Sequence, residues 1–264
     1  MKRKKIGIAL GSGGLRGVAH IGVLKVLEQN GIKPDFLTGS SIGALIAAYY
    51  ANLGSIEELE KKMKKWPIDN LYKFLDISWS GGLIAGDKFS NFLEKELSGL
   101  MIGKTKIPLK ILATDLVSGQ THIFKSGDLA KAVRASISVP LMFKPIKYEN
   151  KLLVDGALSS PVPVKYLDEK SDILIAVNLY HKNEFVKRKF NIKNVALRST
   201  RITLFNLAKQ DIEEADITIA PDTSEIISSS SLSKYSWKSV EKLIKIGEKE
   251  AKKMLPEIKE LLNK

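Results

Sequence analysis

The chain has no cysteine among its 264 residues. That excludes a disulfide framework, a thiolate nucleophile and a zinc–thiolate site, and it accords with a reducing compartment, so a cytoplasmic location is expected. Long apolar runs are missing as well. The longest near-apolar stretch, Ile42–Leu53, holds twelve residues, whereas ~20 are needed to span a bilayer. Behind the basic amino terminus only Ile6–Leu10 is apolar before Gly11 interrupts, too short for the core of a signal peptide. Internal repeats and Pro- or Ser-rich linkers are also lacking. Ser228–Ser231 is the one low-complexity tract, and four serines ahead of a helix read as an exposed loop and cap.

What is present is the composition of a soluble globular protein: 44% hydrophobic and 27% charged residues with 19 Gly and 9 Pro, neither disordered nor collagen-like. The length suits one large α/β domain over residues 1–264, with 230–264 forming a carboxyl-terminal helical segment packed on it. Lys and Arg number 42 against 29 Asp and Glu, a net charge of +13. The surplus is diffuse, at Met1–Lys5, Lys61–Lys65, Lys187–Lys189 and along the last fifteen residues, mostly as lysine on solvated helix faces. No nucleic-acid partner is expected from so scattered a charge. Peripheral contact with an anionic membrane at its inner face is a further expectation, at about 1 kcal/mol per well-placed lysine.

Periodicity predicts a strand over Lys5–Leu10, a helix with Val18, Ile21, Leu24 and Leu27 on one face and Gly31 as its stop, a strand over Phe36–Thr38, and a buried helix over Ser41–Leu53. Helices follow between Ser55 and Leu97, broken by an aperiodic Ser- and Gly-bearing loop at Ile77–Gly86 that could act as a lid. Leu109–Asp115 and Thr121–Phe124 read as a closely spaced pair of strands, Leu129–Ser136 as a helix, and Leu152–Val154, Ile173–Asn178 and Ile217–Ala220 as strands. Ser236–Leu262 reads as a long amphipathic helix interrupted at Pro256, and its Val240, Leu243, Ile244, Gly247 and Ala251 stripe suits packing on the domain rather than lying in a membrane interface. This alternation predicts an α/β fold: a three-layer α/β/α sandwich with a mostly parallel central sheet and helices on both faces.

Gly39-Ser40-Ser41-Ile42-Gly43 matches GxSxG between an expected strand and an expected helix. The flanking elbow glycines Gly39 and Gly43 allow a sharp strand-to-helix turn that lifts the Ser41 oxygen onto a helix amino terminus, where developing negative charge is favoured. The cluster Gly11-Ser12-Gly13-Gly14-Leu15-Arg16-Gly17 also lies between a strand and a helix. It is not a dinucleotide fingerprint, because Arg16 stands where GxGxxG needs a small residue, and the GK[ST] of a nucleotide-phosphate loop is absent. Its backbone N–H groups can instead converge as a nest for a tetrahedral oxyanion, with Arg16 as a donor beside it.

A serine nucleophile needs a base, and the chain offers three histidines. His20, early in the first helix, suits a structural role; His122 sits in a strand; His181 alone fits the serine, acid, histidine order of α/β-hydrolases, though in an exposed-looking loop. Asp155 is the stronger candidate. Val154-Asp155-Gly156-Ala157 places a carboxylate at the carboxyl end of an apolar strand, where ligand sites of parallel sheets collect. With an unperturbed pKa of ~3.9 it works as a base only if burial raises that value.

Together these blocks resemble the bacterial patatin-like phospholipase family: the glycine loop, the elbow, Ala135-Ser136-Ile137-Ser138-Val139-Pro140 with Phe143 and Pro145, and Asp155-Gly156-Ala157, with Ala113–Leu116, Gly119 and Gly82–Asp87 as further matching positions. The resemblance runs from about residue 6 to 220. It implies lipid acyl-ester hydrolysis by a Ser41–Asp155 dyad without histidine, with Gly11, Gly13, Gly14, Leu15 and Arg16 forming the oxyanion hole and neither cofactor nor metal. A noncatalytic lipid- or polyanion-binding protein on the same fold is the alternative.

Overall fold

The computed structural model describes residues 3–66, 68, 87–140, 142–184, 192–224, 226 and 236–264. The lid expected at Ile77–Gly86, the Ser228–Ser231 tract and the Lys187–Lys189 cluster lie outside these residues, as do positions 82–86 of the resemblance.

The described elements are β1 (Ile6–Leu10), α1 (Ala19–Gln29), β2 (Phe36–Ser40), α2 (Ile42–Leu53), α3 (Ile56–Met63), α4 (Asp87–Leu97), β3 (Leu109–Asp115), β4 (Thr121–Phe124), α5 (Leu129–Ser136), β5 (Ile146–Tyr148), β6 (Lys151–Asp155), β7 (Ile173–Val177), α6 (Ile192–Asp211), β8 (Ile217–Ile219) and α7 (Trp237–Asn263). Strands β3-β2-β1-β7-β8 run parallel, and β4, β5 and β6 join antiparallel at the β3 side. The sheet is therefore mixed, with a parallel centre.

Both faces of the central strands are covered, and side-chain alternation shows how. Ile6, Ile8 and Leu10 of β1 and Ile173, Ile175 and Val177 of β7 enter the larger apolar cluster with α1, α2, α5 and α7. Ala9 and Ala176, one residue out of phase, enter a second cluster with Val162, Val164, Leu167 and Ala208. Strand side chains alternate between faces, so one run of small and branched residues serves two layers.

Two close approaches fasten the larger layer. A Cβ on Gly22 of α1 would lie 2.0 Å from the Ile244 carbonyl oxygen of α7, and one on Gly247 would lie 2.0 Å from the Ala19 carbonyl oxygen. The two helices thus meet backbone to backbone, with Val240, Leu243, Ala251 and Ile258 of α7 buried.

The expected interruption at Pro256 is corrected: α7 continues through it to Asn263. Pro256 and Lys252, whose carbonyl loses its intrahelical donor, both lie on the exposed face, while buried Ile258 one half-turn on keeps the end docked. Helix α6 and strand β5 are not legible in the sequence. The exposed part of α6, with Val195 and Ile202 half-exposed, has no clear apolar stripe, and its attachment comes late, through Leu204, Phe205 and Ala208.

Candidate active site

β2 ends at Ser40 and α2 begins at Ile42, leaving Ser41 alone in the turn with φ 55° and ψ −125°. A non-glycine residue in that region stores roughly 1–3 kcal/mol of strain. The turn fits because Gly39 and Gly43, two residues to either side, have no side chains. A Cβ on Gly39 would lie 2.6 Å from the Ala44 Cα, and one on Gly43 would lie 2.1 Å from the Leu10 carbonyl oxygen and 2.6 Å from that of Gly11. Gly43 therefore sets the start of α2 directly against the end of β1 and the glycine loop.

Serine before a helix usually spends its hydroxyl on capping. Here the Ser41 carbonyl oxygen accepts from the Ala44 and Leu45 N–H groups and the hydroxyl makes no capping bond. It donates instead to Asp155 Oδ2 at 2.6 Å. The Ser41 N–H donates to Ser136 Oγ at 2.9 Å.

Asp155 ends β6 and is buried, with 3% of its surface exposed. Its Oδ1 accepts the Ala157 N–H at 2.8 Å, and its own N–H donates to the Ser138 carbonyl oxygen at 3.0 Å. Burial pushes the carboxyl up to about 6, with the bonds from Ser41 and Ala157 opposing. A carboxylate so shifted is a stronger base than an exposed one and is still ionised near neutrality. Gly156 lets the chain leave: a Cβ there would meet the Leu112 carbonyl oxygen at 2.3 Å and Ser40 Oγ at 2.8 Å.

The end of α5 and the residues just after it thus serve both members of the pair, Ser136 through its hydroxyl and Ser138 through its carbonyl. Buried Arg134 donates to Ser138 Oγ at 2.7 Å and to Ser90 Oγ at 2.5 Å and lies 5.3 Å from the Phe143 ring, tying this support to α4. The individual roles of Ser136 and Ser138 carry no sequence signal beyond the matched block, since serines at a helix end are ordinary capping material, and Arg134 lies one residue before that block.

The glycine loop wraps the other side of the turn. Gly11 and Gly13 abut the β7 side, where a Cβ would meet the Val177 carbonyl oxygen and the Leu179 side chain, both at 2.8 Å. Gly14 has φ +58° and open space around it. Leu15 packs partly buried against the larger cluster. The Arg16 side chain is buried and donates through Nε to the Gly13 carbonyl at 2.9 Å and through a terminal nitrogen to the Leu179 carbonyl at 2.8 Å, 5.4 Å from the Tyr180 ring. Arg16 therefore buckles the loop. A trans peptide carries its C=O and N–H on opposite sides, so the Gly13 carbonyl turned toward Arg16 aims the Gly14 N–H the other way. Among the described residues, neither the Gly13 nor the Gly14 N–H has a hydrogen-bond acceptor.

The histidines lie outside the pair. His20 is buried with Nε2 at 2.7 Å from the Gly11 carbonyl oxygen, and burial lowers it to about 4, so it is neutral at pH 7. His122 sits on β4 against Phe124 and Tyr148, with Lys151 Nζ 3.0 Å from its Nδ1. His181, a third exposed, has Nδ1 3.7 Å from Asp222 Oδ2. No group of His, Asp or Glu among the described residues has the arrangement of a metal site, and no described helix is long and apolar enough to cross a membrane.

The sequence and the fold have counterparts. An uncharacterized NTE family protein of Mycobacterium tuberculosis is 33% identical over 177 residues, which are 66% of this chain and 49% of that protein. A lysophospholipase of Emericella nidulans is 29% identical over 181 residues, 67% of this chain and 12% of that protein. The chain thus spans about half the length of its mycobacterial relatives and a small part of the fungal ones. Among solved structures, VipD from Legionella pneumophila has the same fold, with a TM-score of 0.62 at 14% identity over 100% of this chain and 67% of that one. The sequence profile of the patatin-like phospholipases matches residues 8–168, from β1 through both members of the Ser41–Asp155 pair, and the chain belongs to that family.

Proposed function

We propose that this protein is a serine-dependent hydrolase of lipid acyl esters, of the phospholipase A or lysophospholipase type, working through Ser41 and Asp155 without cofactor or metal. The observation that carries the reading is the 2.6 Å bond from the Ser41 hydroxyl to a buried carboxylate whose pKa burial raises to about 6. Asp155 takes the Ser41 proton as the oxygen attacks the ester carbonyl, and the Gly13 and Gly14 N–H groups receive the oxyanion. The proton passes to the departing alcohol, leaving an acyl-enzyme. Water, deprotonated by Asp155, then releases the fatty acid and restores the serine. The fungal relative named as a lysophospholipase supports the lipid substrate.

Contact with an anionic bilayer belongs to the same reading. Leu116 and Val117, at the turn between β3 and β4, are 52% and 82% exposed. The Leu116 N–H donates to the Leu152 carbonyl on β6, which places the turn beside exposed Lys147 and Lys151 at the carboxyl edge of the sheet. An apolar tip flanked by lysines fits a surface of anionic headgroups over acyl chains.

Labelling with a fluorophosphonate probe and peptide mapping tests the proposal. The label is expected on Ser41 alone and absent from a folded Ser41→Ala variant, with hydrolysis of a lysophospholipid panel lost in parallel. A folded wild-type protein that takes no label and hydrolyses no ester overturns it in favour of a lipid-binding role.

A further inference from the structure

Four separate parts of the chain meet behind the glycine loop in one uninterrupted line of hydrogen bonds. His20 Nε2 donates to the Gly11 carbonyl oxygen at 2.7 Å. The Ser12 N–H, on the same peptide plane as that carbonyl, donates to the Pro161 oxygen at 2.8 Å. The Val162 N–H, on the same plane as the Pro161 carbonyl, donates to Asp211 Oδ2 at 2.8 Å. Every donor points the same way, from the imidazole through two peptide units to the carboxylate. Head-to-tail bonds of this kind polarise and strengthen one another.

The two ends have little other employment. His20 is fully buried, and its Nδ1 has no partner among the described residues, so its one bond holds the Gly11 carbonyl. Asp211 closes α6 and accepts a second bond from Ser160 Oγ at 3.0 Å, so its carboxylate grips the chain on both sides of Pro161. Burial raises its pKa, while the Val162 and Ser160 bonds and the charge of Lys165 oppose that shift. The gripped strap starts at Asp155: Ser159 and Ser160 donate back to the Gly156 carbonyl, and the chain then runs to Pro161 beneath the loop. Contact there is tight, since a Cβ on Gly11 would lie 3.3 Å from the Pro161 oxygen and 3.0 Å from Val162 Cγ2.

We propose that Asp211 is a positioning residue for the reaction: through the Pro161–Val162 peptide and the Ser12 N–H it fixes the glycine-loop backbone at the place where the Gly13 and Gly14 N–H groups meet the oxyanion. This rests on the reading of that loop as the oxyanion site. The loop is glycine-rich and therefore conformationally permissive, so donors aimed at a developing charge require support from outside it. Asp211 supplies that support from the opposite layer of the fold, where it touches neither substrate nor Ser41.

The test compares Asp211→Ala and Asp211→Asn with wild type on p-nitrophenyl butyrate, alongside the backbone amide resonance of Ser12 in ¹⁵N-labelled protein. Asp211→Ala is expected to lower kcat about 10²-fold, the scale of one displaced oxyanion donor, with KM little changed. Asp211→Asn keeps an oxygen for the Val162 N–H and is expected to recover most of that loss. The Ser12 amide proton should move upfield in both, further in the alanine variant, as its bond to Pro161 weakens. A Ser12 resonance at its wild-type position overturns the proposal whatever kcat does, as does a loss confined to KM. If Asp211→Ala does not fold, the Ser12 shift in Asp211→Asn decides alone. Should wild type hydrolyse no ester, the proposed function fails, while the Ser12 resonance still reports whether Asp211 holds the loop.

Discussion

Ser41 and Asp155 meet because the strands that carry them arrive from opposite directions along the same edge of β3. Ser40, the last residue of β2, lies opposite Leu112 of β3, and Asp155, the last residue of β6, lies opposite Ala113, the next one along. β4 occupies the other edge over Ile111–Thr114, which leaves β2 and β6 to share this one end to end. Their tips are a single residue step apart, and the 2.6 Å bond between the Ser41 hydroxyl and the Asp155 carboxylate follows from that junction.

Hydrolysis should depend on one ionisation. With Asp155 pushed up to about 6 by burial, kcat/KM is expected to rise about tenfold per pH unit below that value and level off above it. His20, lowered to about 4, adds no second inflection in that range. His181→Ala, a change at a partly exposed side chain outside the Ser41–Asp155 pair, should leave the profile unchanged. A profile that loses its inflection in His181→Ala would assign the base to histidine.

Asp155 and His20 pull stability in opposite directions. Between 3.8 and about 6 the folded protein holds a proton on Asp155 that the unfolded chain releases, so stability falls as pH rises through that window. Between about 4 and 6.5 the folded protein lacks a proton that the unfolded chain carries on His20, so stability rises with pH. Each effect is on the order of 3 kcal/mol and the two largely offset. Asp155→Asn removes the first alone. It should be inactive, more stable than wild type at pH 8, and should lose Tm more steeply than wild type between pH 7 and pH 5. Parallel Tm–pH curves for the two proteins would contradict this.

Gly43→Ala should act on the glycine loop from the helix side. Its Cβ would stand 2.1 Å and 2.6 Å from two backbone oxygens, neither of which can rotate away. The expected result is a kcat loss of about 10²-fold or more, together with a lower Tm, read on a soluble ester. Wild-type turnover in a folded Gly43→Ala protein would mean that the loop and the elbow are not coupled.

Val117→Glu tests the membrane contact separately from the chemistry. Hydrolysis of p-nitrophenyl butyrate should be unchanged, while sedimentation with phosphatidylglycerol vesicles and hydrolysis of vesicle-borne substrate both fall. Undiminished vesicle binding would move the contact to another surface.

The local geometry is legible in the order of residues: the sharp turn at Ser41, the carboxylate at the end of an apolar strand, the parallel centre of the sheet and the α7 stripe. These features depend on spacing within a few residues, which a linear sequence preserves. The rest lies in contacts between distant segments. Nothing near Pro256 shows that Lys252, whose carbonyl it leaves without a donor, lies on the exposed face, so the sequence reads as a break where α7 runs on. Nothing near Asp115 or Ser40 shows that β2 and β6 share an edge of β3. The burial that raises Asp155, the neutral state of His20, and the line from His20 to Asp211 arise only when four segments converge. Hydrogen-bond direction and desolvation depend on what surrounds a group in space, and a linear spacing carries neither.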